Sequence, residues 1–98
     1  MKKNTFYSFM FMDNKKQAVK HEGYTDGTYN YYKSENYCNT WYAVEPLTGL
    51  SVVNAPTRKE AAAQAHKLTE KVKERISNMQ AVIDEFTRYR AEAKTTEV

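Results

Sequence analysis

The spacing of apolar and polar positions changes rhythm twice along this chain. From Thr5 to Met12 almost every position is apolar, with Phe6, Met10 and Met12 on one side of an extended backbone and Tyr7, Phe9 and Phe11 on the other. Ser8 is the exception. Bounded by Asn4 and by Asp13-Asn14, this run predicts a first strand. A strand apolar on both faces is expected at the centre of its sheet, or under cover other than a helix. Residues 13–23 are polar and weakly patterned, and they predict no element of their own.

Alternation resumes at Thr28, where TYNYYK predicts a second strand closed by Ser34-Glu35-Asn36. TWYAVE (Thr40 to Glu45) and LSVVNA (Leu50 to Ala55) then flank Pro46-Leu47-Thr48-Gly49. Proline fixes φ on entry and glycine is free to take positive φ on exit, so the three segments form a hairpin.

After Pro56 the period lengthens. Thr57-Arg58-Lys59-Glu60 has capping-box spacing, in which the threonine oxygen accepts from the Glu60 amide. Ala65, Leu68, Val72, Ile76, Met79, Ile83 and Phe86 then recur at steps of three and four, an apolar stripe with no Gly or Pro to interrupt it. Ser77-Asn78-Met79-Gln80 could cap a second helix, but the stripe keeps its phase there. One helix from about Arg58 to Ala93 is therefore expected. The predicted fold is α+β: a three- or four-stranded antiparallel sheet (1–56) followed by one long C-terminal helix (57–94), a single domain of 98 residues.

Such a helix would be about 50 Å long at 1.5 Å per residue. A six-residue strand covers only about 20 Å. Met79, Val82, Ile83, Phe86 and Tyr89 would then project past the sheet and call for cover. Packing against a second copy of the chain, as a homodimer, is the expected solution. Residues 1–23 wrapping over the stripe, or the helix bending back at Ser77, would serve as well.

Composition adds one feature. Six of the eight tyrosines and the single tryptophan fall within residues 24–42. On strands, Tyr29 and Tyr31 share one side and Tyr32 takes the other, while Trp41 and Ala43 oppose Tyr42 and Val44. One set must face away from the helix. Tyr29, Tyr31, Tyr32, Tyr37, Trp41 and Tyr42 are thus the candidate contacts for a protein partner. Rings with little rotamer entropy beside Asn and Ser suit a contact surface. Cross-strand aromatic pairing inside the sheet is the plainer reading.

Charge and candidate chemistry narrow the rest. Fifteen basic against twelve acidic residues give a net charge of +3. It divides as six against five before Pro56 (+1) and nine against seven after it (+2). Neither part is a polycation. His21 and His66 have no second ligand at metal spacing, Cys38 has no cationic neighbour in sequence, and no phosphate loop is present. No cofactor or metal is implied, and no nucleophile–base–orienter set is visible, so a non-enzyme is expected. A lone cysteine fits a reducing compartment. No apolar run reaches the ~20 residues of a membrane span. Residues 1–16 carry two lysines and a short apolar stretch but no small-residue cleavage site, so they read as strand rather than export signal. The expected location is cytoplasmic.

Two resemblances bear on function. WYAVEPLTGLSVVNAPTRKEAAAQA resembles, over about 25 residues, the three-stranded DNA-binding domains at the start of tyrosine-recombinase integrases. Trp41, Thr48-Gly49 and Thr57-Arg58-Lys59-Glu60-Ala61 match that outline, and the opening of the second helix in double-stranded-RNA-binding domains is similar. The resemblance implies DNA or RNA binding through the sheet and the basic helix start, with Lys33, Arg58 and Lys59 as contacts. The hairpin strands carry no Lys or Arg, however, and Glu45 stands where a basic residue would help. In size and in lacking catalytic motifs the chain also resembles small accessory proteins of phages and mobile elements, including the anti-CRISPR inhibitors. That resemblance implies non-catalytic binding of a protein and inhibition of a host defence complex.

Overall fold

A computed structural model describes residues 1–34 and 39–96. Its strands are β1 (Lys2–Met12), β2 (Lys15–Thr25), β3 (Asn30–Ser34), β4 (Thr40–Val44) and β5 (Ser51–Ala55). The helices are α1 (Arg58–Lys67), α2 (Thr69–Ile76) and α3 (Gln80–Thr96). The strands form one antiparallel meander in chain order. The α+β class holds, but the described residues form five strands and no single long C-terminal helix.

The unforeseen strand is β2. It pairs with β1 from Lys2↔Thr25 to Met12↔Lys15, which leaves Asp13 and Asn14 as the turn. Both have positive φ (52° and 62°), as a two-residue type I′ turn requires. Asp and Asn tolerate that conformation better than other residues with side chains.

β1 also corrects the expectation of a central strand, because it ends the strand order. The sheet curls instead. Its first strand returns to the β4–β5 turn, where the Phe9 amide donates to the Gly49 carbonyl at 2.7 Å. β2 and β3 share only Tyr24↔Tyr31 and Thr25↔Asn30, a narrow hinge for that curl. At Gly23 any Cβ would run into the Tyr31 carbonyl, so only glycine lets the two backbones meet there.

Each face of the sheet has its own core. On one, Tyr29, Tyr31, Ala43 and Ala55 pack against Ala61 and Ala65 of α1, whose small side chains let the helix approach closely. On the other, Phe6, Tyr32 and Val44 are buried with Tyr42 half-buried beside them. No helix residue belongs to this second cluster, so the curl itself supplies its cover. Tyr42, Tyr32 and His21 stack in a column at 5.3 and 3.8 Å.

The C-terminal region breaks twice. Thr57 caps α1 by accepting from the Glu60 amide, and the helix is interrupted at Leu68. At Ser77–Met79 the chain turns, with the Ser77 hydroxyl donating to the Glu74 carbonyl. α3 then folds back over the β1–β2 hairpin. Phe86 is fully buried, stacked on Phe9 at 5.6 Å, and Tyr89 tilts against the same ring. Lys16 and Glu85 pair across this contact at 3.2 Å. The overhanging rod does not exist, since the longest dimension is 33 Å. Phe86 and Tyr89 meet β1 of their own chain, and Met79, Val82 and Ile83 are half-buried, so the stripe no longer calls for a second copy. No helix among the described residues is long and apolar enough to cross a membrane.

Candidate binding site

The curl and the folded-back α3 decide where the aromatic residues lie. Tyr29, Tyr31 and Tyr32 are 2%, 0% and 8% exposed, so these three predicted contacts are core residues. The reason is that both sheet faces are covered, one by α1 and one by the β1–β2 hairpin. Trp41 and Tyr42 remain half-exposed, and Tyr37 and Cys38 lie outside the described residues, as do Glu35 and Asn36 of the predicted turn.

Two histidines and one carboxylate hold this packing in place. Asp26 accepts from the Thr28 and Tyr29 amides, each at 2.9 Å, from the Tyr31 hydroxyl at 2.6 Å, and pairs with His66 Nε2 at 2.7 Å. Burial pushes its pKa up, but the Tyr29 amide, Tyr31 hydroxyl, His66 ring and Thr28 amide outweigh it and hold the carboxyl well below its ordinary range. Burial and the same Asp26 contact push the Tyr31 hydroxyl far up. Asp26 thus ties the β2–β3 turn to α1.

His21 lies flat on Tyr32, and its Nε2 meets the Ser8 hydroxyl at 2.6 Å; burial lowers its pKa. That distance suits a nucleophile–base pair, yet Ser8 is only 2% exposed and offers a substrate no access. No group of three or more His, Cys, Asp and Glu side chains gathers as a metal site among the described residues.

Two surfaces combine apolar or aromatic side chains with charge. The first follows the basic helix start. The Arg58 guanidinium sits 4.0 Å from the Tyr24 ring centre and 5.8 Å from that of Trp41. Lys33 pairs across the strands with Trp41, and Lys59 is exposed beside Arg58. The structure thus brings Lys33 and Arg58 to one aromatic cluster. Glu45 is absent from it: buried in the β4–β5 turn, its carboxylate accepts from the Leu47 and Thr48 amides at 2.9 and 2.7 Å.

The second surface is a groove of about 330 Å³ between α2 and the start of β5. The strand side supplies Glu45, Thr48, Leu50, Ser51 and Val52, while Leu68, Lys71, Val72, Arg75, Ile76 and Met79 form the helix side. Of these, Leu68, Val72, Ile76 and Met79 belong to the sequence stripe. Even so, α2 has no fully buried residue, so its apolar face is only half covered. Val72 packs against the core between α1 and the sheet, while open space remains between α2 and the start of β5. Lys71 and Arg75, one turn apart, stand at its rim.

No protein-family model, curated protein or solved structure matches this chain.

Proposed function

We propose that the chain is a non-catalytic binding protein whose partner is another protein, held in the groove between α2 and β5. The observation that carries this reading is the half-covered apolar face of α2 bordering a groove of about 330 Å³. That volume falls within the range of ligand-binding clefts. Leu50, Val52, Leu68, Val72 and Ile76 offer apolar contact, and Lys71 and Arg75 offer charge at the margin. This arrangement, an apolar centre with a polar rim, is the anatomy of a protein interface. Binding without chemistry also suits an inhibitor of a host defence complex such as CRISPR-Cas, the class suggested by the chain's general form.

A random twelve-residue peptide library displayed on phage, selected against the immobilised protein, tests the reading. It predicts enriched sequences that bind wild type and lose binding to Val72→Glu, which places a charge in the groove. No enrichment, or enrichment indifferent to Val72→Glu, contradicts it.

A second reading, nucleic-acid binding, is favoured by the Arg58–Tyr24–Trp41 cluster with Lys33 alongside. Half-exposed rings can stack on bases while the cations meet phosphates. It predicts fluorescence anisotropy changes with single-stranded oligothymidine that weaken steeply with salt and are lost in Trp41→Ala.

A further inference from the structure

We infer that the partner segment seated in the groove is an amphipathic α-helix of about three turns, with apolar anchors between α2 and β5 and acidic residues along the flank that meets Lys71 and Arg75. This rests on the reading of the groove as a protein-binding site and names the chemistry of the partner.

The strand side of the groove has little main chain to offer. In the β4–β5 turn the Leu47 and Thr48 amides donate to the Glu45 carboxylate. The Gly49 amide donates to the Glu45 carbonyl at 2.8 Å, and the Leu50 amide to the Thr48 hydroxyl at 3.3 Å. The Leu50 carbonyl accepts from the Glu45 amide at 2.9 Å. Beyond the turn, Ala43 pairs with Val53 and Val44 with Ser51, so Val52 is an extra residue, a bulge in β5. Bulges blunt an edge against strand addition. A segment entering here must satisfy its own backbone, and a helix does so by itself. Recognition is left to side chains, as when an amphipathic helix lays its apolar face in a groove.

The helix side sets the pattern. Leu68, Ile76 and Met79 are half-buried and line the groove, with Leu50 and Val52 opposite. Val72 is already packed on the core cluster, so the anchors are expected at Leu68, Ile76 and Met79 rather than on it. α2 spans eight residues, or about 12 Å, and Leu68 and Met79 extend the lining past both its ends. A partner helix of three turns, about 16 Å, matches that length.

Charge lies along one margin. Lys71 and Arg75 are exposed, one turn apart, and form a single row on α2. Among the described residues no ion pair engages either of them. Like charges at this spacing repel, and an acidic partner relieves that repulsion. Glu45, the carboxylate of the lining, has both oxygens engaged, and Glu70 and Glu74 of α2 are outside the lining. What is left to meet a ligand is positive on the α2 side, which selects carboxylates on one flank of the partner.

The test uses a fluorescein-labelled, stapled twelve-residue helical peptide with a leucine stripe and glutamates along one flank. Binding is read by anisotropy and by amide shifts in the ¹⁵N-labelled protein. Three control peptides are compared with it. One has lysine for glutamate, one has the glutamates moved to the face opposite the leucines, and one is unstapled with two central prolines that prevent a helix. The inference predicts shifts confined to residues 45–52 and 68–79. It predicts roughly tenfold weaker binding for the lysine and moved-glutamate peptides, and loss of binding for the proline peptide. In the Lys71→Glu/Arg75→Glu variant the preference should reverse, with the lysine peptide binding better. Equal binding of any control peptide overturns the inference, as do shifts elsewhere, no binding, or an unchanged preference in the variant. So does a dimer by light scattering that the glutamate peptide fails to dissociate, since the occupant is then a second copy. If the peptide fails while phage selection still recovers binders sensitive to Val72→Glu, the inference falls and the groove reading stands. If both fail, both fall.

Discussion

The ring of Phe86, in α3, lies against the α-carbon of Gly49, in the β4–β5 turn, where any side chain at residue 49 would stand. Gly49 has φ of +69° and gives its carbonyl to Phe9, and Phe9 stacks on Phe86. One small cluster therefore closes the sheet and anchors the last helix. Phe86→Ala should lower unfolding stability by about 3–5 kcal/mol, the range for large buried aromatics. Gly49→Ala combines left-handed backbone, costing about 1–2 kcal/mol, with displacement of the ring. Urea unfolding followed by circular dichroism checks both. Phe86→Asp should fail to fold rather than change from dimer to monomer.

Asp26 makes stability depend on pH at the acid end. Its folded pKa lies below the ordinary value of 3.8, so its contribution is complete above that value and is lost as pH falls toward the folded one. Between pH 5 and pH 2 the wild type should lose stability more steeply than Asp26→Asn. At pH 7 the substitution should cost about 1–3 kcal/mol, because the Tyr31 hydroxyl and two amides lose a charged acceptor. Urea midpoints across that range measure both effects.

His21 acts in a separate window. Burial places its folded pKa below the ordinary 6.5, so the unfolded chain binds the extra proton first. Its contribution is complete above about 6.5 and is lost as pH falls through the folded value. Moving from pH 7.5 to 5.5 should therefore lower the unfolding midpoint of wild type more than that of His21→Phe. The phenylalanine keeps a ring on Tyr32 but cannot titrate.

Much of the fold was legible in local pattern. The Thr57 cap, the Pro46–Gly49 turn and the split of Tyr31 from Tyr32 across the sheet all follow from spacing and φ preference. β2 was not, because its Lys15, Lys16, Lys20 and Glu22 lie at exposed positions of a hairpin and erase the alternation. Asp13-Asn14 was its one readable signal. The break at Ser77–Met79 left the helical phase undisturbed, so periodicity could not report it. The burial of Tyr32 goes with the curl in which Phe9 reaches Gly49, forty residues away, which no local pattern encodes. The groove was half legible: the stripe gave Leu68, Val72 and Ile76, but not the open space left beside them at the start of β5.

The claim that binding belongs to this groove, and not to the ring-bearing sheet, is tested most directly by one comparison. Peptides recovered by selection on wild type are measured by anisotropy against Val72→Glu, Trp41→Ala and Tyr42→Ala, each confirmed folded by circular dichroism. The account predicts at least about a tenfold loss for Val72→Glu, from a charge buried against apolar contacts, and little change for the other two. Loss in Trp41→Ala or Tyr42→Ala with Val72→Glu unaffected would contradict it and return the binding surface to the aromatic face.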